Sequence, residues 1–116
     1  MVNVEKTLGG ESVGIPLSKT DWEAWVKPGA MGRVKLARVF GKRVRILELP
    51  EGFDEENWCE KGHQGYVLKG SFTITFETGD EFVCEEGDAF VIPDDIKHRS
   101  RGTKDGQTVV FVVDEM

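Results

Sequence analysis

The chain has 116 residues and a mass of 13.0 kDa, which is the size of one domain with one hydrophobic core. Its formal net charge of −6 and the absence of any lysine- or arginine-rich run argue against nucleic acid as a partner. No apolar stretch approaches the ~20 residues of a membrane-spanning helix, and the first residues do not follow the order of a signal peptide. With only two cysteines, this composition predicts a soluble cytoplasmic domain that contacts no membrane.

Short runs of β-branched and aromatic residues follow one another along the chain, separated by glycine and proline. We predict strands at 34–40, 44–49, 66–68, 71–77, 82–84, 89–92 and 108–113. Their spacing is typical of a β-sandwich or barrel, and only 20–25 carries a helix signal, for one capped turn. The pattern predicts an all-β protein, a small antiparallel barrel or jelly roll at 35–116, with an N-terminal arm at 1–34 packing on it.

Few residues of the chain are of the types that carry out chemistry. There are two histidines, His63 and His98, and two cysteines, Cys59 and Cys84. The sequence contains no serine elbow, no glycine-rich phosphate loop, no helical zinc motif and no paired C-x-x-C. The acidic segment 51–60 is more typical of a solvated loop than of a cation site. No catalytic or substrate-binding residue can be assigned from these motifs.

The segment 87–98 resembles the second sequence signature of the cupin superfamily. Gly87, Pro93 and His98 stand at the spacing of that signature, whereas Asp95 replaces its usual glycine and Gly102 a frequent asparagine. Upstream, 65–70 resembles the end of the first cupin signature. The resemblance spans about residues 35 to 116 and implies a small single-domain cupin. That fold hosts enzymes and non-catalytic sensors alike, and it is common as a homodimer.

The first cupin signature carries two histidines and an acidic residue, and it is degenerate in this chain. Alignment of the signature on Gly70 places the acidic residue at His63 and the two histidines at Asn57 and Cys59. The resemblance in this alignment implies a ligand set of Cys59, His63 and His98.

A second alignment of the first signature differs by one residue. When the signature is anchored on Gly52, its two histidines fall on Trp58 and Glu60. We prefer the anchor on Gly70, because a hairpin varies less in length than the loop that follows Gly52. Glu60 is kept as the alternative metal ligand.

The residue types give a physical reason to expect a metal without reference to a family. Cys59 and His63 share the parity of residues that face one side of an extended chain, and a turn after 92–93 could bring His98 opposite them. One thiolate and two imidazoles suit Zn²⁺, and less clearly Fe²⁺ or copper, and leave a fourth coordination position open. A metal held in this way would polarise a carbonyl of a small metabolite. The first hypothesis is therefore a small-molecule pocket in a metal-dependent enzyme, although the sequence leaves open whether the protein is an enzyme.

Two other functions remain open. A histidine on a half-buried strand is more often hydrogen-bonded in a core, and a buried cysteine is usually a small hydrophobe. The chain could therefore be a metal-free module that binds a small ligand without catalysis. It could also be an interaction protein whose apolar face, with Tyr66 and Leu68, contacts a partner; the same face predicts a homodimer.

Two arginines alternate with apolar residues in the second predicted strand. Arg43 and Arg45 lie on the face opposite Val44 and Ile46, where one of them could meet an anionic substrate. Arginines in this pattern more often form surface ion pairs of small energetic value. The sequence leaves the substrate and the reaction open.

Overall fold

The computed structural model describes residues 7–8, 10–27 and 30–115. Within these ranges the chain forms eleven β-strands, a short 3-10 helix at Leu17–Lys19 and no α-helix. The strands are β1 (Thr7–Leu8), β2 (Glu11–Ser12), β3 (Glu23–Lys27), β4 (Ala30–Val39), β5 (Lys42–Leu49), β6 (His63–Lys69), β7 (Ser71–Phe76), β8 (Glu81–Glu85), β9 (Ala89–Ile92), β10 (His98–Arg101) and β11 (Thr108–Glu115). No helix in this part of the chain is long and apolar enough to cross a membrane.

Nine of these strands form two antiparallel sheets. The larger sheet has six strands in the order β3-β4-β5-β11-β6-β9, and the smaller has three in the order β10-β7-β8. β1 and β2 pair only with each other. The prediction of an all-β antiparallel fold is confirmed. Hydrogen bonds do not close the described strands into a continuous barrel, and of the two predicted forms the two facing sheets fit the jelly roll.

Alternation along the strands explains where the core lies. Burial in β11 changes at every residue from Thr108 to Asp114, as expected when one face of a sheet is covered. The buried side chains of the larger sheet meet Phe72 and Ile74 of the smaller sheet, and the rings of Phe72 and Phe90 lie 5.1 Å apart. The core is therefore the layer between the two sheets, and the candidate site lies at one end of it.

Each predicted strand overlaps an observed one, with 34–40 and 71–77 extending one residue too far, but the helical turn predicted at 20–25 is wrong. Glu23–Lys27 forms β3 instead, paired with β4, and its Trp25 packs on Phe53 with 5.8 Å between ring centroids. Pairing with the long strand β4 gives hydrogen-bond partners to the backbone N–H and C=O groups along one edge of this segment. A single helical turn would leave most of its backbone groups without such partners. β10 was also not predicted. The division into an arm at 1–34 and a barrel at 35–116 remains a prediction.

Candidate metal centre

A cavity of about 170 Å³ lies between the two sheets. Along one wall its lining changes from polar to apolar, because Arg43 and Arg45 are followed on the same face of β5 by Leu47 and Leu49. Phe72 and Phe90 continue the apolar lining. The cavity thus has one polar end and one apolar end.

Three potential metal ligands converge at the polar end. The candidate ligand atoms of Cys59, His63 and His98 all lie within 4.8 Å of one another. Cys59 Sγ is 3.9 Å from His63 Nε2, and the two imidazole rings lie edge to face with centroids 5.6 Å apart. The cluster joins residues from three separate segments and opens into the cavity.

Backbone pairing positions two of these ligands. Cys59 and His98 exchange two backbone hydrogen bonds, with N–O distances of 2.7 and 2.9 Å, in an isolated bridge before β6. His98 begins β10, and His63 begins β6. Cys59 therefore reaches the cavity through its bridge to His98. Cys59 and His63 both line the cavity, although they do not belong to one continuous strand.

The hydrogen bonds of the two histidines leave the same nitrogen free on each ring. His98 Nδ1 donates to the carbonyl of Ile96 at 3.0 Å, and His63 Nδ1 donates to Asp114 Oδ2 at 2.6 Å. A neutral imidazole that donates from Nδ1 carries its lone pair on Nε2. Both rings are therefore oriented and tautomerically set to present Nε2 as a ligand, the arrangement common around protein-bound metals.

Asp114 is the electrostatic centre of the polar end. Its side chain is 0% exposed and accepts two hydrogen bonds from Arg43, at 2.8 and 3.0 Å, and one from Arg45 at 2.9 Å. Burial acts to raise the pKa of Asp114, but the bond from Arg43 and the charge of Arg45 outweigh it and lower the pKa to about 2. Asp114 is thus ionised at neutral pH and accepts the proton of His63 Nδ1.

Burial has the opposite effect on the neighbouring imidazole. It lowers the pKa of His63 from the ordinary 6.5, and this exceeds the raising effect of the hydrogen bond to Asp114. His63 is consequently neutral at neutral pH. A neutral ring is the form that binds a metal.

The spacing of the cluster fits a metal ion. With Zn–S and Zn–N bonds of about 2.3 and 2.1 Å and tetrahedral angles, two ligand atoms of one zinc lie about 3.4–3.6 Å apart. The distance of 3.9 Å between Cys59 Sγ and His63 Nε2 is close to this value. The 4.8 Å span of the full set requires side-chain movements of about 1 Å to reach the tetrahedral spacing. Three protein ligands would leave one tetrahedral position open to the cavity.

Comparison with known proteins identifies the family. Residues 48–114, more than half of the chain, match the family model described as the cupin domain. The chain belongs to the cupin family. No curated protein sequence matches this cupin at a significant level.

Solved structures show the same fold at low sequence identity. KdgF from Halomonas sp. is 24% identical with a TM-score of 0.63, and the alignment covers 85% of this chain and 89% of that one. Protein NMB1881 from Neisseria meningitidis is 15% identical with a TM-score of 0.63, covering 89% and 99%. A sugar phosphate isomerase of the cupin superfamily from Silicibacter pomeroyi is 15% identical with a TM-score of 0.68, covering 89% and 75%. At these identities the likeness concerns the fold alone.

The structure separates the two alignments of the first cupin signature. Cys59 lines the cavity, whereas Asn57, Trp58 and Glu60 are exposed to solvent. Glu60, the alternative ligand, does not belong to the converging cluster. Cys84 also lies apart from it, on β8 against the hydrophobic core.

Two carboxylates of the cavity region were missed from the sequence. Glu55, in the segment interpreted as a solvated loop, lines the cavity and accepts bonds from the backbone N–H and the hydroxyl of Ser100 at 3.1 and 2.5 Å. Asp114 lies 51 residues from its partner His63, so no local motif joins them. A signal for Asp114 does exist: it continues the inward parity of Val110 and Val112.

Proposed function

We propose that this cupin is a metal-dependent enzyme that acts on a small metabolite, with Cys59, His63 and His98 holding one divalent metal ion. The observation that carries the proposal is the hydrogen bonding of the two histidines. Each ring has its Nδ1 engaged, by Asp114 or by the carbonyl of Ile96, which leaves Nε2 as the free nitrogen, and His63 Nε2 lies 3.9 Å from Cys59 Sγ. A purely structural histidine has no need of a free, oriented Nε2 beside a thiol.

The residues around the cluster have distinct roles in this proposal. Asp114 orients His63 and keeps its proton on Nδ1, while Arg43 and Arg45 keep Asp114 ionised. The apolar walls exclude water from the far end of the cavity and surround the uncharged part of the ligand. A bound metal would supply Lewis acidity toward an oxygen atom of the ligand.

The donor set favours zinc over iron. A thiolate is a soft ligand, and one sulfur with two imidazole nitrogens is a combination found in catalytic zinc sites. Iron in comparable open sites is held by two histidines and a carboxylate. Among the described residues, Cys59 occupies the place where that carboxylate would be needed. Zinc is therefore the first metal to test and iron the second.

Elemental analysis of the untagged protein, purified without added metal, tests the proposal. We expect about one equivalent of zinc or iron in the wild type, and a large loss in Cys59→Ser and in His98→Ala. Cys84→Ser is the matched control, since Cys84 is the other free cysteine and lies outside the cluster. Substoichiometric metal that is unchanged by the two ligand variants would contradict the proposal.

A second candidate is a metal-free module that binds a small ligand without turnover. In favour of it, the thiol of Cys59 lies 3.9 Å from His63 Nε2, so it can donate a weak hydrogen bond that satisfies this pair without a metal. This candidate predicts ligand-induced thermal stabilisation that persists in the presence of a chelator. Stabilisation that disappears on chelation would favour the enzyme.

We also propose that the protein is a homodimer formed through the outer face of the larger sheet. Tyr66, Leu68 and Val91 are exposed there, and Tyr66 lies beside Phe111 of β11. A patch of large apolar side chains on an exposed sheet is typical of an interface. Light scattering coupled to gel filtration should give twice the chain mass for the wild type and a reduced mass for Tyr66→Lys. An unchanged mass in the variant would place the interface elsewhere.

A further inference from the structure

Arg45 is buried with part of its hydrogen-bonding capacity unused. Its side chain is 9% exposed, and its only bond to Asp114 comes from Nη2. The buried Nε has no hydrogen-bond partner among the residues that the structure describes. A buried donor without a partner costs free energy, all the more so when it belongs to a charged group. Arg45 therefore needs an acceptor that the described part of the protein does not supply.

The charges around the cavity call for an acceptor that is itself negative. Three cationic side chains, Arg43, Arg45 and Lys61, line the cavity, and two carboxylates, Glu55 and Asp114, lie at or beside its wall. Burial and the charge of Arg43 lower the pKa of Arg45, and together they exceed the raising effect of Asp114. A metal ion would add further positive charge at the same end. The polar end thus carries an excess of positive charge.

The opposite end limits the remainder of the ligand. Leu49, Phe72 and Phe90 form apolar walls that offer little polar recognition. The volume of about 170 Å³ is smaller than the 300–1,000 Å³ typical of pockets for drug-sized molecules. The cavity therefore suits a short molecule with one anionic end and one hydrocarbon end.

We infer that the cavity binds a small organic acid, with its carboxylate on the guanidinium of Arg45 and its hydrocarbon portion against the apolar walls. Arginine is the side chain best suited to this contact, because its planar donors match the geometry of a carboxylate. Arg45 and His63 bind the same oxygen of Asp114, so an acid held by Arg45 lies next to the metal cluster. Binding of this acid does not depend on the proposed function. Only the assignment of the acid as the substrate rests on it.

Titration of chelator-treated, ¹⁵N-labelled protein with butyrate and with butyramide tests the anion site directly. The two probes have nearly the same shape and differ in charge, and removal of metal eliminates direct coordination of the carboxylate. We expect butyrate to bind at least about tenfold more tightly, the value of one charge-assisted hydrogen bond. The Arg45 Nε–H resonance should shift during the titration with butyrate. Equal affinity of the two probes, or no binding of either, would overturn the inference.

The length of the hydrocarbon chain of the acid tests the apolar end of the cavity in the same kind of titration. Each methylene buried in an apolar cavity contributes about 0.8 kcal/mol, so lengthening acetate to butyrate should strengthen binding by about tenfold. An affinity that is the same for acetate and butyrate would show that the apolar walls do not contact the ligand. That result would overturn the assignment of the hydrocarbon portion.

Variants connect the binding to the residue. Arg45→Met should weaken butyrate binding by about tenfold or more and reduce the preference over butyramide. If this variant does not fold, Arg43→Gln serves instead. Arg43 is more exposed than Arg45 and, like Arg45, binds the carboxylate of Asp114. Arg33→Gln is the matched control, because Arg33 pairs with Glu48 at the surface and does not line the cavity. Unchanged binding in the folded Arg45 or Arg43 variant would overturn the inference.

The two proposals fail separately in these experiments. Butyrate binding that depends on Arg45 in a protein without native metal would remove the proposed enzyme and leave the acid site in a binding module. One equivalent of metal together with no preference for butyrate would leave the metal centre and remove the acid site.

Discussion

On the inner face of the larger sheet, the same three strands carry opposite kinds of side chain at their two ends. At one end β5, β11 and β6 contribute Arg45, Asp114 and His63, and at the other Leu49, Val110 and Val67. Burial of the apolar residues stabilises the fold directly. Burial of the charged residues gains little or nothing over apolar replacements, because desolvation offsets their attraction. The apolar end therefore contributes to stability, whereas stability does not explain the burial of charged residues at the polar end.

The largest expected effect is at the polar end. Asp114→Asn leaves the buried Arg45 and the partly buried Arg43 without their counter-charge, and we expect the free energy of unfolding to fall by about 3–5 kcal/mol. Urea denaturation in the presence of a chelator measures this loss. Glu48→Gln, which removes the carboxylate bound to Arg33 at the surface, should cost far less. A similar small loss in both variants would contradict the central role given to Asp114.

Truncation at the apolar end should separate stability from metal binding. Leu49 is 1% exposed, and Leu49→Ala should lower the free energy of unfolding by about 3 kcal/mol through lost burial and the cavity left behind. The metal content of the folded variant should remain at the wild-type value. Elemental analysis after gel filtration measures it. Loss of metal in this variant would show that the two ends are not independent.

Acid should weaken the polar end in a defined pH range. The pKa of Asp114 is about 2 in the folded protein and 3.8 when unperturbed, so on acidification the unfolded chain takes up this proton first. The resulting stabilisation, about 2 kcal/mol, is complete above pH ~4 and is lost as the pH falls toward ~2. In chelator, the difference in unfolding free energy between wild type and Asp114→Asn should therefore shrink over that range. A difference that stays constant with pH would contradict the assignment.

The smallest expected effect lies in the loop between the two halves of the site. Asp95 replaces the usual glycine of the second cupin signature and has a left-handed backbone, with φ of 66°. Asp95→Gly should raise the free energy of unfolding by about 1 kcal/mol, since glycine adopts this conformation without strain. Asp95→Ala should lower it, because alanine tolerates the conformation less well than aspartate. A stability loss in the glycine variant would indicate that the Asp95 side chain makes a stabilising contact.

Local patterns in the sequence predicted most of the long strands and named the three residues of the cluster. They did not predict the side chains that hold the cluster in place. Alternation and turn residues predicted strands such as 108–113, because both signals are local. β3 and β10 escaped prediction because their strand character comes from pairing with β4 and β7. Asp114 and Glu55 escaped for the same reason: their partners lie 51 and 45 residues away.

The sequence by itself determined that the chain is all-β and that it resembles the cupins, and it singled out Cys59, His63 and His98 as candidate metal ligands. Only the tertiary structure decided that Cys59 enters the cavity and Glu60 does not, that Asp114 sets the tautomer of His63, and that Arg45 keeps an unused donor. The physical reason is the separation along the chain over which each interaction acts. Backbone alternation acts between neighbouring residues, whereas the orientation, protonation and solvation of a buried polar group depend on partners that only the packed sheets bring together.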